Sequence, residues 1–343
     1  MMLHPTNKKI SFFLRRVFVM FLIFGFTVFS ISCKKQDKPA GLREKVTIGV
    51  AQLVLSTPII IAQGKGYFSE EGLDVSFKPY PFGKKAIEAM FTGEVDIATV
   101  AETPIVFNSF IRDDFVVFGT FVYSYDDSKA LGRKDRGVSK PEELKGKKIG
   151  IAARTSSHFF AHIYLIEHRI DPSAVRMVDF SAQDLPGALK DGKVDVIVIF
   201  EPYAYMAMKA LPEKIVRLPK SDFFKETFNL ATMKNYANEH PESLKKVLKA
   251  VDRAIKFIKQ NKKESIAIMA KVSKLEEDFL ISIWDDFVFE LSLDHSMLTI
   301  LEDEARWAMK NGFTDKTKVP NYLGYFYLDA MKAVKPEAVS IIK

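Results

Sequence analysis

The chain has 343 residues, enough for one large core or two moderate ones, and its 48% apolar and 27% charged residues are ordinary globular composition. Its formal net charge of +7 does not amount to a nucleic-acid footprint. Lys8, Lys9, Arg15 and Arg16 lie ahead of the first long apolar run; the remaining 46 of the 50 Lys and Arg face 43 Asp and Glu, with no basic face, zinc spacing or RNA-binding signature.

Residues 17–32 carry no charge. Their length and basic flank fit the apolar core of a secretory signal better than a spanning helix, which needs about 20 residues. Cys33, the only cysteine, follows the small Ser32 and so resembles a bacterial lipoprotein processing site, although Ser30 and Ile31 stand where Leu followed by Ala or Ser is usual. An ordinary signal peptide and a twin-arginine signal at Arg15-Arg16 are the competing readings. Residues 1–33 are therefore expected to be a lipoprotein signal peptide with Cys33 as the lipidation site. Residues 34–44 (KKQDKPAGLRE) read as a flexible tether. With one cysteine no disulfide holds the fold, and stability must come from the core.

Beyond the tether, short apolar runs alternate with helical patterns, the signature of α/β architecture. Strands are expected at 46–51, 73–77 and 95–100. Ser56-Thr57-Pro58 starts a helix, Pro81-Phe82-Gly83 turns into another that runs to Met90 and stops at Gly93, and Thr103-Pro104 opens the next. The plan then recurs. Residues 148–152 (KIGIA) match 47–51 (TIGVA) at an offset of 101, and Gly192-Lys193-Val194-Asp195 matches Gly93-Glu94-Val95-Asp96 at 99. Glu201 also lies 99 beyond Glu102, each followed within two residues by a proline. Matches in one order at nearly one offset indicate two related α/β lobes. From about His240 the chain reads as helical: Leu244, Val247, Leu248, Val251, Ile255 and Ile258 recur at helical spacing, and further helices are expected over 274–289, 294–310 and 321–333. The cluster Tyr322, Tyr325, Phe326 and Tyr327 is expected to pack the last helix onto a lobe.

In open α/β sheets ligands sit beyond the carboxyl ends of the strands, where helix N-termini converge. That rule selects Ser56, Thr57, Phe82, Gly83, Glu102 and Thr103 in the first lobe. In the second it selects Arg154, Thr155, Ser156, Ser157, Glu201 and Tyr203. Hydroxyls and free N–H groups at helix starts accept anionic oxygens, and Arg154 would add a charge with bidentate geometry. Residues 154–157 are thus the best single anion site. Plainer roles remain open. Ser56, Thr103 and Ser157 could be helix caps, and Arg154 could pair with a surface carboxylate. Glu102 and Glu201 would repel an anion unless they accept hydrogen bonds or neutralise Arg154. Phe82, Phe159, Phe160 and Tyr203 could line a flat ligand or belong to the core. His158 and His162 have metal-ligand spacing but no evident third ligand, so no metal and no cofactor is expected. No nucleophile elbow, Walker loop or reactive cysteine occurs, so no catalytic residue is assigned and the chain is not expected to be an enzyme.

Residues 62–75 (AQGKGYFSEEGLDV), with Gly93-Glu94-Val95-Asp96-Ile97-Ala98, Gly192-Lys193-Val194-Asp195 and Glu201-Pro202-Tyr203, resemble a known signature. It is that of the nitrate/sulfonate/taurine and thiamine-pyrimidine-precursor binding proteins of ABC importers. The resemblance implies a periplasmic-binding-protein type II fold: two Rossmann-like lobes, two crossovers, and a cleft that closes on the ligand. Lobe one would hold 45–127 and 232–343, with the C-terminal helices packed on it, and lobe two 128–231. The chain would cross near 125–131 and return near 230–234. The implied function is a solute-binding lipoprotein of an ABC importer, exported and lipid-anchored facing the periplasm. It would capture a small anion (sulfonate-, nitrate- or aromatic-carboxylate-like, or heteroaromatic) as a monomer and pass it to permease and ATPase partners. Alternatives are a sensor lipoprotein serving a membrane receptor or, further off, an enzyme on the same fold. Fold-sharing enzymes of menaquinone synthesis are cytoplasmic, which the leader opposes. A suicidal pyrimidine synthase of this fold needs a cysteine-rich motif, which a single cysteine cannot supply.

Overall fold

Two sheets account for the alternating apolar runs. A computed structural model describes residues 43–342 apart from 222; the expected signal peptide, Cys33 and nearly all of the tether lie outside the described residues. The first sheet contains β1 (Glu44–Ala51), β2 (Leu73–Tyr80), β3 (Ile97–Ala101), β4 (Phe115–Ser124), β10 (Glu226–Met233) and β11 (Phe287–Ser292), in the order β11-β4-β10-β3-β1-β2. The second contains β5 (Ser128–Arg133), β6 (Lys148–Ile151), β7 (Arg176–Asp179), β8 (Val196–Phe200) and β9 (Ile215–Arg217), in the order β7-β6-β8-β5-β9.

The repeat has a physical basis. β1 pairs in parallel with β2 and β3, placing Ile48 opposite Ile97. β6 pairs in parallel with β7 and β8, placing Ile149 opposite Val196. In the first sheet the Thr47 N–H donates to Asp96 Oδ2 at 2.7 Å, while the Asp96 N–H donates to the Thr47 carbonyl at 2.9 Å. In the second, the Lys148 N–H donates to Asp195 Oδ2 at 3.0 Å and the Asp195 N–H to the Lys148 carbonyl at 2.9 Å. The valine before each aspartate lies over a glycine of the neighbouring strand. A Cβ on Gly49 would stand 3.1 Å from Val95 Cγ2, and one on Gly150 would stand 3.3 Å from Val194 Cγ2. Gly93 and Gly192, at φ 75° and 71°, follow the preceding helices in the left-handed conformation that glycine adopts without a steric cost.

The chain passes from β4 to β5 through residues 125–127, within the expected crossing, and returns between Arg217 and Glu226. The return therefore precedes the expected 230–234 segment. Residues 226–231, read from sequence as the end of lobe two, lie in β10 of the first sheet. β10 is buried along nearly its whole length because it pairs antiparallel with β3 on one side and β4 on the other. Its run of Phe228, Leu230 and Ala231 is what a strand covered on both faces requires.

The Pro241–Gln260 helix buries Leu244, Val247, Leu248, Val251, Ile255 and Ile258 as the spacing predicts, and packs on the Thr57–Gly64 helix and β11 of the first lobe. The His295–Lys310 helix, capped by the Asp294 carboxylate at 2.8 Å from the Ser296 N–H, lies against the Glu102–Ser109 helix. The helix expected over 274–289 ends instead at Ile283. Phe287, Phe289 and Leu291 are buried in alternation with exposed Val288 and Glu290, a period of two, and they form β11. Near the C-terminus the Tyr322 hydroxyl lies 3.0 Å from Ser109 Oγ and the Tyr325 hydroxyl donates to the Ser109 carbonyl, fixing that segment to lobe one. Among the described residues no helix is long and apolar enough to cross a membrane.

Candidate functional site

The carboxyl ends of the strands in both sheets meet at one cavity. Its lining comes from the first lobe through Leu53, Phe82, Gly83, Lys84, Ala101 and Pro104, and from the second through Thr155, Ser156 and Phe200; Glu226 and Phe228 of β10 complete it. Its volume is about 10 Å³, about the room for one water. The lobes touch around it. The Lys84 ammonium donates to the Ala153 carbonyl at 3.1 Å, and the Tyr203 hydroxyl donates to the Pro81 carbonyl at 3.1 Å.

Four of the expected site residues line this cavity: Phe82, Gly83, Thr155 and Ser156. Gly83 starts its helix so close to β3 that a Cβ would lie 2.9 Å from Val100 Cα, which explains the glycine. Thr155 and Ser156 stand at the N-terminus of the 12-residue Ser156–Glu167 helix, whose first N–H groups have no partner within the helix. The Thr155 hydroxyl ties the entering loop by donating to the Ala152 carbonyl at 2.7 Å. Ser157 is turned into the lobe, where its hydroxyl donates to the Val198 carbonyl at 2.5 Å and accepts from the Ala152 N–H at 3.2 Å. Ser56 and Thr57 are likewise turned inward, donating to the carbonyls of Ala51 (2.6 Å) and Val54 (2.5 Å). These three hydroxyls bind backbone in the core. Thr103 is fully buried. Arg154 is exposed and outside the cavity lining, with its guanidinium 5.5 Å from the Phe107 ring. Tyr203 lines a neighbouring, mostly apolar cavity of about 400 Å³ with Pro81, Met206 and Met269.

Lys84 was legible in principle, since it follows the Pro81-Phe82-Gly83 turn. Burial pushes its ammonium down, and the charge of Arg154 pushes in the same direction. Glu226 carried no such signal, because it enters on the return crossover and belongs to neither copy of the repeat.

One carboxylate, Glu226, lines the cavity, and the buried carboxylates of Glu102, Asp127 and Glu304 lie within reach of its charge. Glu226 is 2% exposed and accepts from the Ser128 hydroxyl at 2.9 Å, with the Ser156 hydroxyl as a second hydrogen-bonding neighbour. Glu102 accepts at Oε2 from the Thr227 N–H (2.7 Å) and hydroxyl (2.8 Å), while its Oε1 has no partner. Asp127 is buried with neither oxygen hydrogen-bonded, and Glu304 is buried with the Thr103 hydroxyl as its hydrogen-bonding neighbour. Burial first, then mutual repulsion, pushes Glu102 up to about 8 and holds Asp127 and Glu304 well above the usual carboxylate range. Burial pushes Glu226 up to about 7, against the Ser156 and Ser128 hydrogen bonds that lower it. Glu201 is also raised by burial; its Oε2 accepts from the Tyr205 N–H at 2.9 Å and its Oε1 lies 3.4 Å from the Lys129 ammonium. Lys129, only 3% exposed, is the buried lysine among these carboxylates.

His158 and His162 sit in a box of aromatic rings. His158 is 4.6 Å from Phe313 and 5.1 Å from Trp307, and His162 is 5.3 Å from Trp307. Burial drives His158 down to about 3, helped by the charges of His162, Arg154 and Lys84, and burial drives His162 down to about 4. Both are neutral packing residues at pH 7. Among the described residues no group of three His, Cys, Asp or Glu is placed to hold a metal ion.

Two α/β sheets bridged twice by the chain, with a cavity lined from both, define a protein of the periplasmic-binding-protein type II class. The comparisons with known proteins agree. The chain belongs to the NMT1/THI5 like family, whose model matches residues 55–265. It is 25% identical to the taurine-binding periplasmic protein of Escherichia coli (strain K12) over 246 residues, covering 68% of this chain and 75% of that protein. Its fold is that of the alkanesulfonate-binding protein SsuA from Xanthomonas axonopodis pv. citri, solved bound to MOPS: TM-score 0.72 at 17% identity, covering 82% of this chain and 97% of that one. The periplasmic aliphatic sulphonate binding protein SsuA from Escherichia coli gives a TM-score of 0.69 at 19% identity over 82% and 99% of the two chains.

Proposed function

We propose that this chain is the solute-binding component of an ABC-type importer, and that it captures a small ligand with an anionic, sulfonate-like group between its lobes. The observation that carries the reading is a cavity lined from both sheets at the ends where α/β proteins bind ligands. On its second-lobe wall Thr155 and Ser156 present the start of a helix, where N–H groups and the helix dipole favour an anion. Lys84 faces them from the first lobe. Arg154, exposed near Lys84, adds positive field and not a contact. A space of about 10 Å³ admits no such ligand, so binding requires the lobes to part and close again. Capture is stoichiometric, and release is to a permease driven by its ATPase.

A thermal-shift series of the protein from Lys34 onward against alkanesulfonates, nitrate and aromatic carboxylates tests this. A ligand at 100 times its Kd adds about 2.7 kcal/mol, enough to raise the Tm by several degrees. No response from any anion sinks the ligand class, and conversion of the bound compound to product sinks the transport reading. Cys33, after an uncharged run of signal-core length, is proposed as the lipid-bearing residue that holds the exported chain on a membrane facing the periplasm. Cys33→Ala should then move the protein from the membrane fraction to the soluble periplasm; unchanged membrane association counts against the anchor.

A further inference from the structure

A second cavity, of about 420 Å³, opens on the first lobe. Lys234, Lys316 and Lys318 converge on it, and Phe110, Val319 and Tyr325 give it an apolar wall. Lys234 rests 5.7 Å from the Tyr325 ring, and among the described residues neither Lys316 nor Lys318 has a carboxylate partner. Asp113 alone in the lining carries a negative charge, so three cations face one anion. The next carboxylate, Asp114, is already clasped by Arg112 at 2.6 and 2.7 Å. Beside Phe110 in the chain, Ile111 stands 78% exposed.

Strand register fixes where this cavity lies. Ile48 of β1 is opposite Ile97 of β3, Thr232 of β10 is opposite Ile97, and Thr232 is opposite Val116 of β4 on its other side. With strands about 4.8 Å apart, all four pass this level within roughly 15 Å of one another. Asp113 comes just before β4 and Lys234 just after β10, so both stand at the end of the sheet where β1 begins. The Lys234–Glu239 helix leads from the cavity toward that beginning, where His240 Nδ1 lies 2.9 Å from Glu44 Oε1. The ligand cavity meets β3 at its other end, Ala101. Residues 34–42, nine in all, join Cys33 to this end of the lobe and reach no further than about 30 Å.

We propose that this cavity is a seat for the phosphate headgroup of an anionic phospholipid, and that Ile111 enters the bilayer beside it. The inference rests on the proposed Cys33 anchor, which supplies the membrane, and adds an orientation to it. A tether of nine residues confines the body near the surface without fixing which face meets it. Three lysines within a Debye length of an anionic surface contribute about fivefold each, and Asp113 takes back one such factor, leaving about 25-fold. The lysine stems and the Phe110 and Tyr325 rings meet the apolar side of the headgroup region while the ammonium groups hold the phosphate. The ligand cavity then faces away from the bilayer.

Vesicle flotation of the chain from Lys34 onward, which keeps both sheets and carries no lipid, tests the seat apart from the anchor. One set of vesicles is phosphatidylcholine; the other is an equal mixture of phosphatidylcholine and phosphatidylglycerol. The expected result is at least tenfold tighter binding to the mixed vesicles at about 0.1 M salt. The exposed double variant Lys316→Gln/Lys318→Gln should bring the two within threefold, and Asp113→Asn should widen the difference. Equal binding to both vesicles, or a preference that survives the double variant, overturns the seat. Inorganic phosphate bound with a micromolar Kd in titration calorimetry assigns the cavity to a soluble anion and overturns the lipid. The Cys33→Ala fractionation reads the anchor alone, so failure of the anchor and failure of the seat give different results.

Discussion

Asp96 and Asp195 each do the same work in their own sheet. The carboxylate takes an N–H of the neighbouring strand while its own backbone N–H returns a bond to the same residue, so the start of one strand is bracketed to its neighbour. Removing the carboxylate leaves a backbone donor without a partner, and the cost depends on whether water can replace it. The Thr47 donor is partly buried, whereas the Lys148 donor is exposed. Asp96→Ala should therefore cost about 1–2 kcal/mol, and Asp195→Ala less, in urea melts of the single variants. A larger loss at Asp195 would show that its ion pair with Arg136, at 2.9 Å, carries more than its hydrogen bond. The same constraints made these residues legible as a repeat. A left-handed turn wants glycine, the close strand contact wants valine over glycine, and the bracket wants aspartate. Site hydroxyls gave no such discrimination. Ser56, Thr57 and Ser157 stand at helix starts like Thr155 and Ser156, and Thr155 bonds backbone as they do, so nothing local marks which of them line the cavity.

Elements were read well where one period dominated. The Pro241–Gln260 and His295–Lys310 helices follow their expected spans, β1, β2 and β3 follow the expected strands, and β6 follows the repeat of β1. Errors fell where two elements meet without punctuation. No glycine or proline separates the Glu277–Ile283 helix from β11, so the sequence carries no punctuation where the helix ends. β10 was misplaced for a different reason. It belongs to the first sheet but follows the second in sequence, and its antiparallel partners β3 and β4 lie more than a hundred residues earlier. Local pattern identifies such a strand but not its sheet. Glu226 inherits that difficulty, because its position beside the cavity follows from the pairing of β10.

At the scale of the molecule, the buried ionisable groups pull stability in opposite directions with pH. His158 and His162, held down to about 3 and about 4, are protonated in the unfolded chain below about pH 6.5, so their contribution to stability rises with pH up to that point and is then complete. Glu226 and Glu102, pushed up to about 7 and about 8, keep protons in the folded state that the unfolded chain has released above about 4.5. Their contribution is full below that pH and is lost as pH rises through the folded values. Above pH 6.5 the histidine contribution is complete, while the carboxylates still act. Guanidinium melts should accordingly show stability falling between pH 6.5 and 8.5, at up to about 1.4 kcal/mol per pH unit for each proton still held. Glu102→Gln should flatten that fall, and stability that rises across the interval would contradict the assignment.

The two passages between the sheets run side by side. β4 leaves the first sheet paired with the arriving β10, Ser124 opposite Glu226, while β5 enters the second sheet paired with the departing β9, Leu131 opposite Arg217. An ion pair between Asp126 and Arg217 adds a rung between the two passages. Twin straps of this kind bend together about one line and resist twist or sideways shear, as a door on two leaves does. Hinge motion about a single angle is the expectation that this geometry supports. A one-coordinate motion delivers the same two outer faces in the same spacing whenever the cavity is filled, and a membrane partner can read that spacing without touching the solute.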